Sequence, residues 1–404
     1  MNTEITKKKF FMERNEILIL TGIFFLGIST AMFSPYAPIW LTQIFNVDQY
    51  SILGFVAIIP YFVIAIGTTV WGIMSDKFGN KKFVFMGFIA AGLMYFTLMF
   101  INNPYSFLAV MLVGYIFISG QTSNIYSYAT LTSSKKKEVI LGEIAATFSL
   151  AWLVASPIAA LIHDNAATFS LNWYSSASVS SIVSLNAQTP TNGILNFAIV
   201  LSKFFSNELV NHPAQGVQLF IAIVSCAIAS IFILFTKEER REKKQAKEQE
   251  SKKMGKLTEF KLIFVVLMLV AFFQNATSGG FWSYASLYFI DFLGSPAVNF
   301  SYFLIGTTTI GVVLSLLLGR LTKIRKITSA VISFAFVQII IYLLMTLFPL
   351  NVTLGLIVYS FPMYVISTIC LTGLVGTFSN KFRRATAFGL FNTIGIAGSI
   401  SATL

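Results

Sequence analysis

The sequence has little charge, few cysteines and few histidines. Only 11% of its 404 residues are charged, whereas soluble domains carry about 25%. Its cysteines, Cys226 and Cys370, both fall in apolar runs, which excludes a disulfide framework. Its two histidines, His163 and His212, belong to no metal-ligand or catalytic-triad pattern, and no Gly-x-x-x-x-Gly-Lys-Ser/Thr phosphate loop occurs. These absences argue against an enzyme or an ATP-driven pump, and no cofactor or metal is expected.

Apolar residues are abundant instead. They make up 56% of the chain, with 41 phenylalanines and a mean hydropathy of +0.76. A membrane-spanning helix needs about 20 mostly apolar residues. The sequence predicts an all-α membrane protein with eleven such spans: 17–42, 52–73, 83–101, 105–131, 139–162, 216–236, 262–290, 297–319, 327–348, 352–379 and 385–404.

The basic residues indicate the orientation of the chain. All but one of its 28 Lys and Arg residues lie in alternate segments between spans, and Lys203 is the exception. Basic residues concentrate in cytoplasmic loops of membrane proteins, so this pattern predicts a multi-pass protein of the cell membrane with a cytoplasmic N-terminus. Because the bases are dispersed among loops beside apolar spans, we expect the lipid bilayer and not a nucleic acid as their partner. The predicted cytoplasmic segments are 1–16, 74–82, 132–138, 237–261, 320–326 and 380–384.

A polar segment of mixed charge, residues 237–261, divides the chain into two parts. The first part, 1–236, has six predicted spans and a long outer loop at 163–215. Within that loop, residues 194–210 have a helical apolar pattern typical of a helix at the membrane surface. The second part, 262–404, has five spans, and a twelfth is absent before the chain ends. We expect an incomplete sequence, with a truncated, non-transporting membrane protein as the alternative.

A short loop between the second and third spans carries an ordered set of glycines and charges. Its sequence is Gly-Ile-Met-Ser-Asp-Lys-Phe-Gly-Asn-Lys-Lys, from Gly72 to Lys82. We expect Gly72 to permit close helix packing and Gly79 to adopt a positive φ. We expect Asp76 to meet a base or a helix N-terminus, with span eleven as one source. The predicted gating residues of this loop are Gly72, Asp76, Lys77, Gly79 and Lys81.

Polar side chains inside the apolar spans are candidates for a ligand site, because they are costly in lipid and should face the interior of the bundle. Each of them alone is equally explained by helix packing. Amides, hydroxyls and aromatic rings suit a neutral polar ligand such as a sugar. Glu143 is predicted to be the acid inside a span and the candidate proton carrier. The predicted substrate contacts are Tyr36, Tyr61, Gln121, Asn124, Trp152, Gln274 and Asn275.

The spacing Gly-x-x-x-Asp-Lys-x-Gly-x-Lys-Lys resembles the loop between the second and third helices of major facilitator superfamily transporters. The second part of the chain has a weaker copy at the matching place, Gly319-Arg320-Leu321-Thr322-Lys323, which lacks the acid. This resemblance implies two pseudo-symmetric six-helix halves, with the twelfth span missing here. It also implies a monomeric secondary transporter that exposes a midplane site alternately to each side of the membrane.

The fifth span narrows the resemblance. Its run from Ser149 to Ala159, Ser-Leu-Ala-Trp-Leu-Val-Ala-Ser-Pro-Ile-Ala, is similar to the bacterial sugar efflux transporter family. That resemblance implies efflux of sugars, with protons as a candidate coupling ion. A proton-coupled multidrug exporter is the alternative, although its usual arginine in the fourth span is absent from residues 116–121. An uptake permease also remains open.

Overall fold

The computed structural model describes residues 2–43, 50–101, 103–133, 135–175, 213–236, 263–276, 297–321, 324–347, 365–378 and 384–403. The elements within these ranges are helices, as predicted. A π-helical stretch, Ile366–Leu371, leads directly into α11. In chain order the helices are α1 Asn2–Phe33, α2 Ala37–Gln43, α3 Tyr50–Phe78, α4 Asn80–Leu98, α5 Pro104–Thr132, α6 Lys137–Ser175, α7 Pro213–Phe235, α8 Ile263–Ala276, α9 Ala297–Gly319, α10 Ile324–Leu347, α11 Thr372–Phe378 and α12 Arg384–Thr403.

Local sequence accounts for several helix ends. Pro35 lies in the turn that separates α1 from α2, because proline cannot donate the next helical hydrogen bond. Gly79 has φ 97°, so α3 ends and α4 starts within one residue. Asn103 caps α5 by accepting a hydrogen bond of 2.8 Å from the backbone N–H of Tyr105, and Pro104 occupies the first helical position.

Six helices of the described chain are long and apolar enough to cross a membrane. They fall at predicted spans one, three, four, five, six and eight, and shorter apolar helices occur at spans seven, nine, ten and eleven. The six helices are Glu13–Leu41, Asn80–Leu98, Pro104–Thr132, Lys137–His163, Gln215–Phe235 and Asn299–Gly319.

The predicted outer loop 163–215 is too long at both ends. Helix α6 continues to Ser175 and α7 begins at Pro213, so residues 163–175 and 213–215 are helical. The ends of spans five and six were predicted from where the apolar pattern stops. Helices α6 and α7 continue beyond that point into polar sequence. The predicted surface helix at 194–210 and the linker at 237–261 lie outside the described residues.

The helices α1 to α7 form the first half of the bundle, and α8 to α12 form the second. In the first half, α1 packs on α6 and α7, while α4 packs on α5 and α7. Two buried clusters fill this half, with Trp40 and Phe107 in one and Phe88 and Tyr128 in the other. A third cluster fills the second half and also includes Ala145 of α6. The apolar core therefore continues from one half into the other.

Several helix ends meet on one side of the bundle, which we call the basic side. It contains Gly79, Ser133 and Thr236. Ser133 donates to Glu16, and the side chains of Lys81 and Tyr128 both donate to Thr236. The two halves meet mainly where α3 crosses α12 and where α6 crosses α9. These two crossings position the residues described next.

Candidate functional site

The crossing of α3 and α12 brings two backbones into contact. A Cβ atom on Gly72 would lie 2.8 Å from the carbonyl oxygen of Ala385, and one on Gly389 would lie 2.6 Å from that of Thr68. Real Cβ atoms do not approach backbone this closely, so both positions require glycine. The prediction that Gly72 permits close helix packing is confirmed. Its gating role stays a prediction.

Asp76 joins the two halves at the end of this crossing. Its Oδ2 accepts hydrogen bonds from the backbone N–H of Thr386 at 3.0 Å and from the Thr386 hydroxyl at 2.7 Å. Thr386 lies in the first turn of α12, which contains no acidic residue of its own. A carboxylate is favourable at the positive end of a helix dipole. The predicted contact between Asp76 and the N-terminus of span eleven is therefore present.

Hydroxyl groups continue the contact of α3 with α12 toward the middle of the bundle. The Thr393 hydroxyl lies 2.6 Å from that of Thr69 and 3.2 Å from that of Thr68. It also donates to the carbonyl oxygen of Ala65. These contacts join opposite halves, so they must break if the helices separate here.

The crossing of α6 and α9 is built on a pair of glycines. A Cβ atom on Gly142 would lie 2.7 Å from the carbonyl oxygen of Ser315 and 2.8 Å from the Cα of Gly319. Gly319 belongs to the copy of the loop motif in the second part of the sequence, where it corresponds to Gly72. Both copies therefore place a glycine against the opposite half, but only the first copy carries an acid, Asp76.

The other predicted residues of the α3–α4 loop have different environments. Lys81 donates to the carbonyl oxygens of Leu234 at 2.8 Å and Thr236 at 2.6 Å, so it caps the C-terminus of α7. Lys77 is exposed, and Gly79 has the positive φ that was predicted. Within the first half, Lys81 thus fixes the position from which the chain leaves α7.

A charge cluster lies at the basic side between α1, α6 and the loop before α6. Lys135 Nζ lies 2.8 Å from both carboxylate oxygens of Glu143 and 3.4 Å from Glu16, which also accepts a 2.6 Å bond from Ser133. Partial burial alone would lower the pKa of Lys135. The hydrogen bonds and charges of Glu143 and Glu16 outweigh it and raise the pKa above its usual 10.5.

This cluster corrects the prediction that Glu143 is the only acid within a span. The span Glu13–Leu41 includes Glu16, which is only 4% exposed. Sequence reasoning missed Glu16 because it lies at the boundary assigned to the N-terminal segment. Its partners are more than 100 positions away in the chain, so no local pattern could reveal them.

Two of the predicted substrate contacts, Trp152 and Tyr61, are only partly buried in the first half. Trp152 donates from Nε1 to the Thr30 hydroxyl at 3.1 Å, and its ring lies 6.2 Å from that of Phe148. Tyr61 lies on α3, and part of its side chain is exposed. The Trp152 ring is therefore held against α1 while part of its surface stays accessible.

In the second half, Gln274 and Asn275 are partly buried near the end of α8. Asn275 donates to the carbonyl oxygen of Ala271 at 2.9 Å and lies against Gly395 of α12. Its backbone carbonyl accepts from Ser399 at 3.0 Å. Asn275 therefore sits on the seam between α8 and α12.

Asn392 adds a third amide to this part of the bundle. It lies on α12 close to residues that contact two other helices. Gly389 and Thr393 contact α3, and Gly395 contacts α8. The residue is partly buried, and its buried Nδ2 has no hydrogen-bond partner among the residues that the structure describes. An unpaired amide donor in this position is costly unless a ligand or water pairs with it. The sequence contains the signal, an Asn-Thr pair within an apolar span, but does not say which side chain faces α3.

Gln121 and Asn124 are placed within the first half rather than between the halves. Gln121 is 4% exposed and packs against Gly87 of α4. Asn124 is fully buried, accepts from Ser75 at 2.5 Å and donates to the carbonyl of Gly120 at 2.5 Å. Helix packing accounts for the position of Asn124 and leaves the buried Oε1 of Gln121 without a hydrogen-bond partner among the described residues. Their role as substrate contacts stays a prediction.

Tyr36 is also part of the core. It is 1% exposed, lies in the first buried cluster and has its ring 5.2 Å from that of His163. The turn at Pro35 directs the Tyr36 side chain into the first half and not toward the second half. The substrate-contact role of Tyr36 stays a prediction.

The fold and the paired crossings between halves define a class of protein, a polytopic helical membrane protein. The sequence profile of the Major Facilitator Superfamily matches residues 19–208 and again 192–403. The chain belongs to the major facilitator superfamily. Its double match agrees with the two pseudo-symmetric halves, and members of this family work by alternating access. No curated protein sequence matches the chain.

Solved structures support the same fold. The chain is similar to the human organic anion transporter MFSD10 (TM-score 0.61, 13% identity, covering 97% of this chain and 92% of that one). It is also similar to FucP in the outward conformation (0.59, 16%, 96% and 89%). A third similar structure is the proton:xylose symporter XylE bound to 6-bromo-6-deoxy-D-glucose (0.62, 12%, 97% and 87%). At these identities the similarity establishes the fold alone.

Proposed function

We propose that this transporter exports small neutral polar solutes, with sugars as the leading class. The observation that carries the proposal is the separation of charge from the other polar groups. Five partly buried aromatic or amide side chains lie on the helices away from the basic side: Tyr61 and Trp152 in the first half, and Gln274, Asn275 and Asn392 in the second. In the described ranges, charged residues lie at the basic side except for Asp164 near the far end of α6.

The chemistry of these groups favours a neutral, hydroxyl-rich ligand. Amides offer both a donor and an acceptor to hydroxyl groups. Aromatic rings cover the apolar C–H face of a sugar ring. A cationic or anionic solute would need a buried countercharge, which these five side chains do not supply. FucP and XylE, which share the fold, are described as fucose:proton and proton:xylose symporters, in agreement with a sugar-sized solute.

We propose further that the chain is a monomer in the cell membrane with the basic side facing the cytoplasm. Basic residues favour cytoplasmic loops, and 27 of the 28 Lys and Arg residues fall in the predicted cytoplasmic segments.

Export follows from the resemblance of the fifth span to sugar efflux transporters. Glu143 is the proposed proton carrier, and its carboxylate lies 2.8 Å from Lys135 Nζ.

A counterflow experiment tests the class of solute. Purified protein in liposomes is loaded with one unlabelled compound, and entry of the same labelled compound is measured for neutral hexoses, pentoses, nucleosides, organic anions and amphipathic cations. We expect counterflow for neutral sugars and none for the charged compounds. Counterflow of amphipathic cations without any sugar would replace the proposal with multidrug efflux.

Proton coupling is tested separately by replacing Glu143 with Gln. We expect Glu143→Gln to abolish transport driven by a proton gradient and to leave sugar counterflow intact, because counterflow needs no net proton movement. Glu13→Gln, an exposed acid on the same side, is the matched control. Full gradient-driven transport by the Glu143→Gln variant would contradict the assignment of Glu143.

A further inference from the structure

Two charged residues at the basic side stand at the unfavourable ends of their own helices. Asp76 is an anion in the last turn of α3, where the helix dipole is negative. Lys137 is a cation at the first residue of α6, where the dipole is positive. Each residue destabilises its own helix in this position, so each needs a favourable partner elsewhere.

Lys137 finds its partner in the opposite half. Its Nζ donates a hydrogen bond of 3.0 Å to the carbonyl oxygen of Gly376. Gly376 is buried in the last turn of α11, where backbone carbonyls have no intrahelical donor and the dipole is negative. The side chain is partly buried, so solvent screens this contact less than it would at the surface.

The surroundings of Lys137 hold the same two halves together. The backbone carbonyl of the adjacent residue, Glu138, would lie 3.1 Å from a Cβ atom on Gly319, and its Cγ would lie 3.8 Å from one on Gly373. The first turn of α6 therefore touches the ends of both α9 and α11. The contact to Gly376 is part of a packed interface and not an isolated reach across solvent.

Asp76 and Lys137 act on consecutive helices. Helix α11 ends at Phe378 and α12 begins at Arg384. Lys137 binds the negative end of α11, and Asp76 binds the positive end of α12. These two helix ends flank residues 379–383 of the second half. Each end is therefore bound by a charge of opposite sign from the first half.

We propose that Lys137 is a second inter-half latch and a positioning residue for transport. It stabilises the state that is closed at the basic side by binding the C-terminal end of α11. The contact must break when the halves separate there, so its loss shifts the protein toward the state open at the basic side. This proposal rests on the alternating-access fold and not on the identity of the solute.

The test measures the population of the open state without any solute. Spin labels are attached at Lys82→Cys in the first half and Arg320→Cys in the second, both exposed on the basic side. The background carries Cys226→Ala and Cys370→Ala, because both native cysteines are free. Distance distributions between the labels are recorded for the full chain in nanodiscs, with Lys137→Met, Lys137→Arg and Lys136→Met added separately.

We expect Lys137→Met to raise the ratio of long to short distances about fivefold, as loss of one charge–dipole contact should. Lys137→Arg keeps the cation and the donor and should give the wild-type ratio. Lys136→Met removes a neighbouring exposed charge and should also leave the ratio unchanged. If Lys137→Met fails to fold, Lys137→Gln is measured with the same expectation. A ratio for either neutral variant equal to that of Lys136→Met would overturn the proposal.

Discussion

The carboxylate of Asp76 binds the first turn of α12 through Thr386, with 3.0 Å to the backbone nitrogen and 2.7 Å to the hydroxyl oxygen. This contact joins the two halves at the basic side. It also satisfies an N–H group that no residue within α12 could reach. The carboxylate and the helix end therefore depend on each other, and alternating access requires that they separate once in each cycle.

Replacing Asp76 with Asn keeps the size of the side chain but removes its charge. We expect the maximal transport rate to fall about fivefold, because the closed state at the basic side loses one charge–dipole contact. Expression and the half-saturation concentration should stay near the wild-type values, since Asp76 is remote from the proposed solute contacts. Initial rates in proteoliposomes over a range of solute concentrations separate the two quantities. A wild-type maximal rate would refute the gating role, and Lys82→Met, at an exposed position in the first turn of α4, is the control.

The glycine pair at the second crossing gives a steric prediction. Gly142→Ala would place a methyl group 2.7 Å from the Ser315 carbonyl oxygen, which belongs to the backbone and cannot move alone. We expect the transport rate to fall about tenfold, because a change of this size corresponds to the usual free-energy cost of overpacking a helix contact. Gly373→Ala is the matched control, because its methyl group would lie 3.8 Å from the nearest atom. Equal transport rates for the two variants would show that this crossing need not close tightly.

Asn392 tests the location of the solute site. Asn392→Leu removes a buried amide donor that has no partner within the described part of the chain. We expect the half-saturation concentration for the transported sugar to rise about tenfold, because one or two hydrogen bonds to the sugar are lost. The maximal rate should change little. Leu390→Met, at a membrane-exposed position of the same helix, should behave as wild type. An unchanged half-saturation concentration would place the site elsewhere in the bundle.

The charge cluster around Lys135 predicts a dependence of stability on pH. The raised pKa of Lys135 means that its contribution is fully present below its ordinary pKa of 10.5 and is lost as pH rises through the folded value. Because the side chain is 40% exposed, we expect only about 0.5 kcal/mol. Thermal unfolding in detergent should show wild type slightly more stable than Lys135→Met at pH 8, with the difference shrinking as the pH rises through the raised pKa of Lys135. A difference that stays constant across this range would contradict the assignment.

The sequence predicted the elements that depend on spacing within one segment. The apolar spans, the positive φ of Gly79 and the approach of Asp76 to the eleventh span all follow from a short pattern of glycines, charges and apolar residues. The sequence also showed the two copies of the loop motif, which begin at Gly72 and Gly319. It did not predict Gly142 as the partner of Gly319, because Gly142 lies outside both copies.

The sequence could not predict which face of a span meets a neighbouring helix. In membranes, helix interfaces contain small and polar residues just as cavities do. Gln121 and Asn124 were therefore indistinguishable from cavity residues until Gly87 and Ser75 appeared beside them. The partners of Glu16 could not be found for a related reason, because they depend on how distant segments come together.

Transport by everted membrane vesicles is the most direct test of the central claim, that this chain exports neutral sugars across the cell membrane. Vesicles with the wild-type chain and vesicles with Asp76→Asn are compared for accumulation of a labelled neutral sugar, with and without an imposed proton gradient. We predict accumulation by wild type that depends on the gradient and is about fivefold slower with Asp76→Asn. No sugar accumulation alongside clear extrusion of a cationic dye would contradict the account.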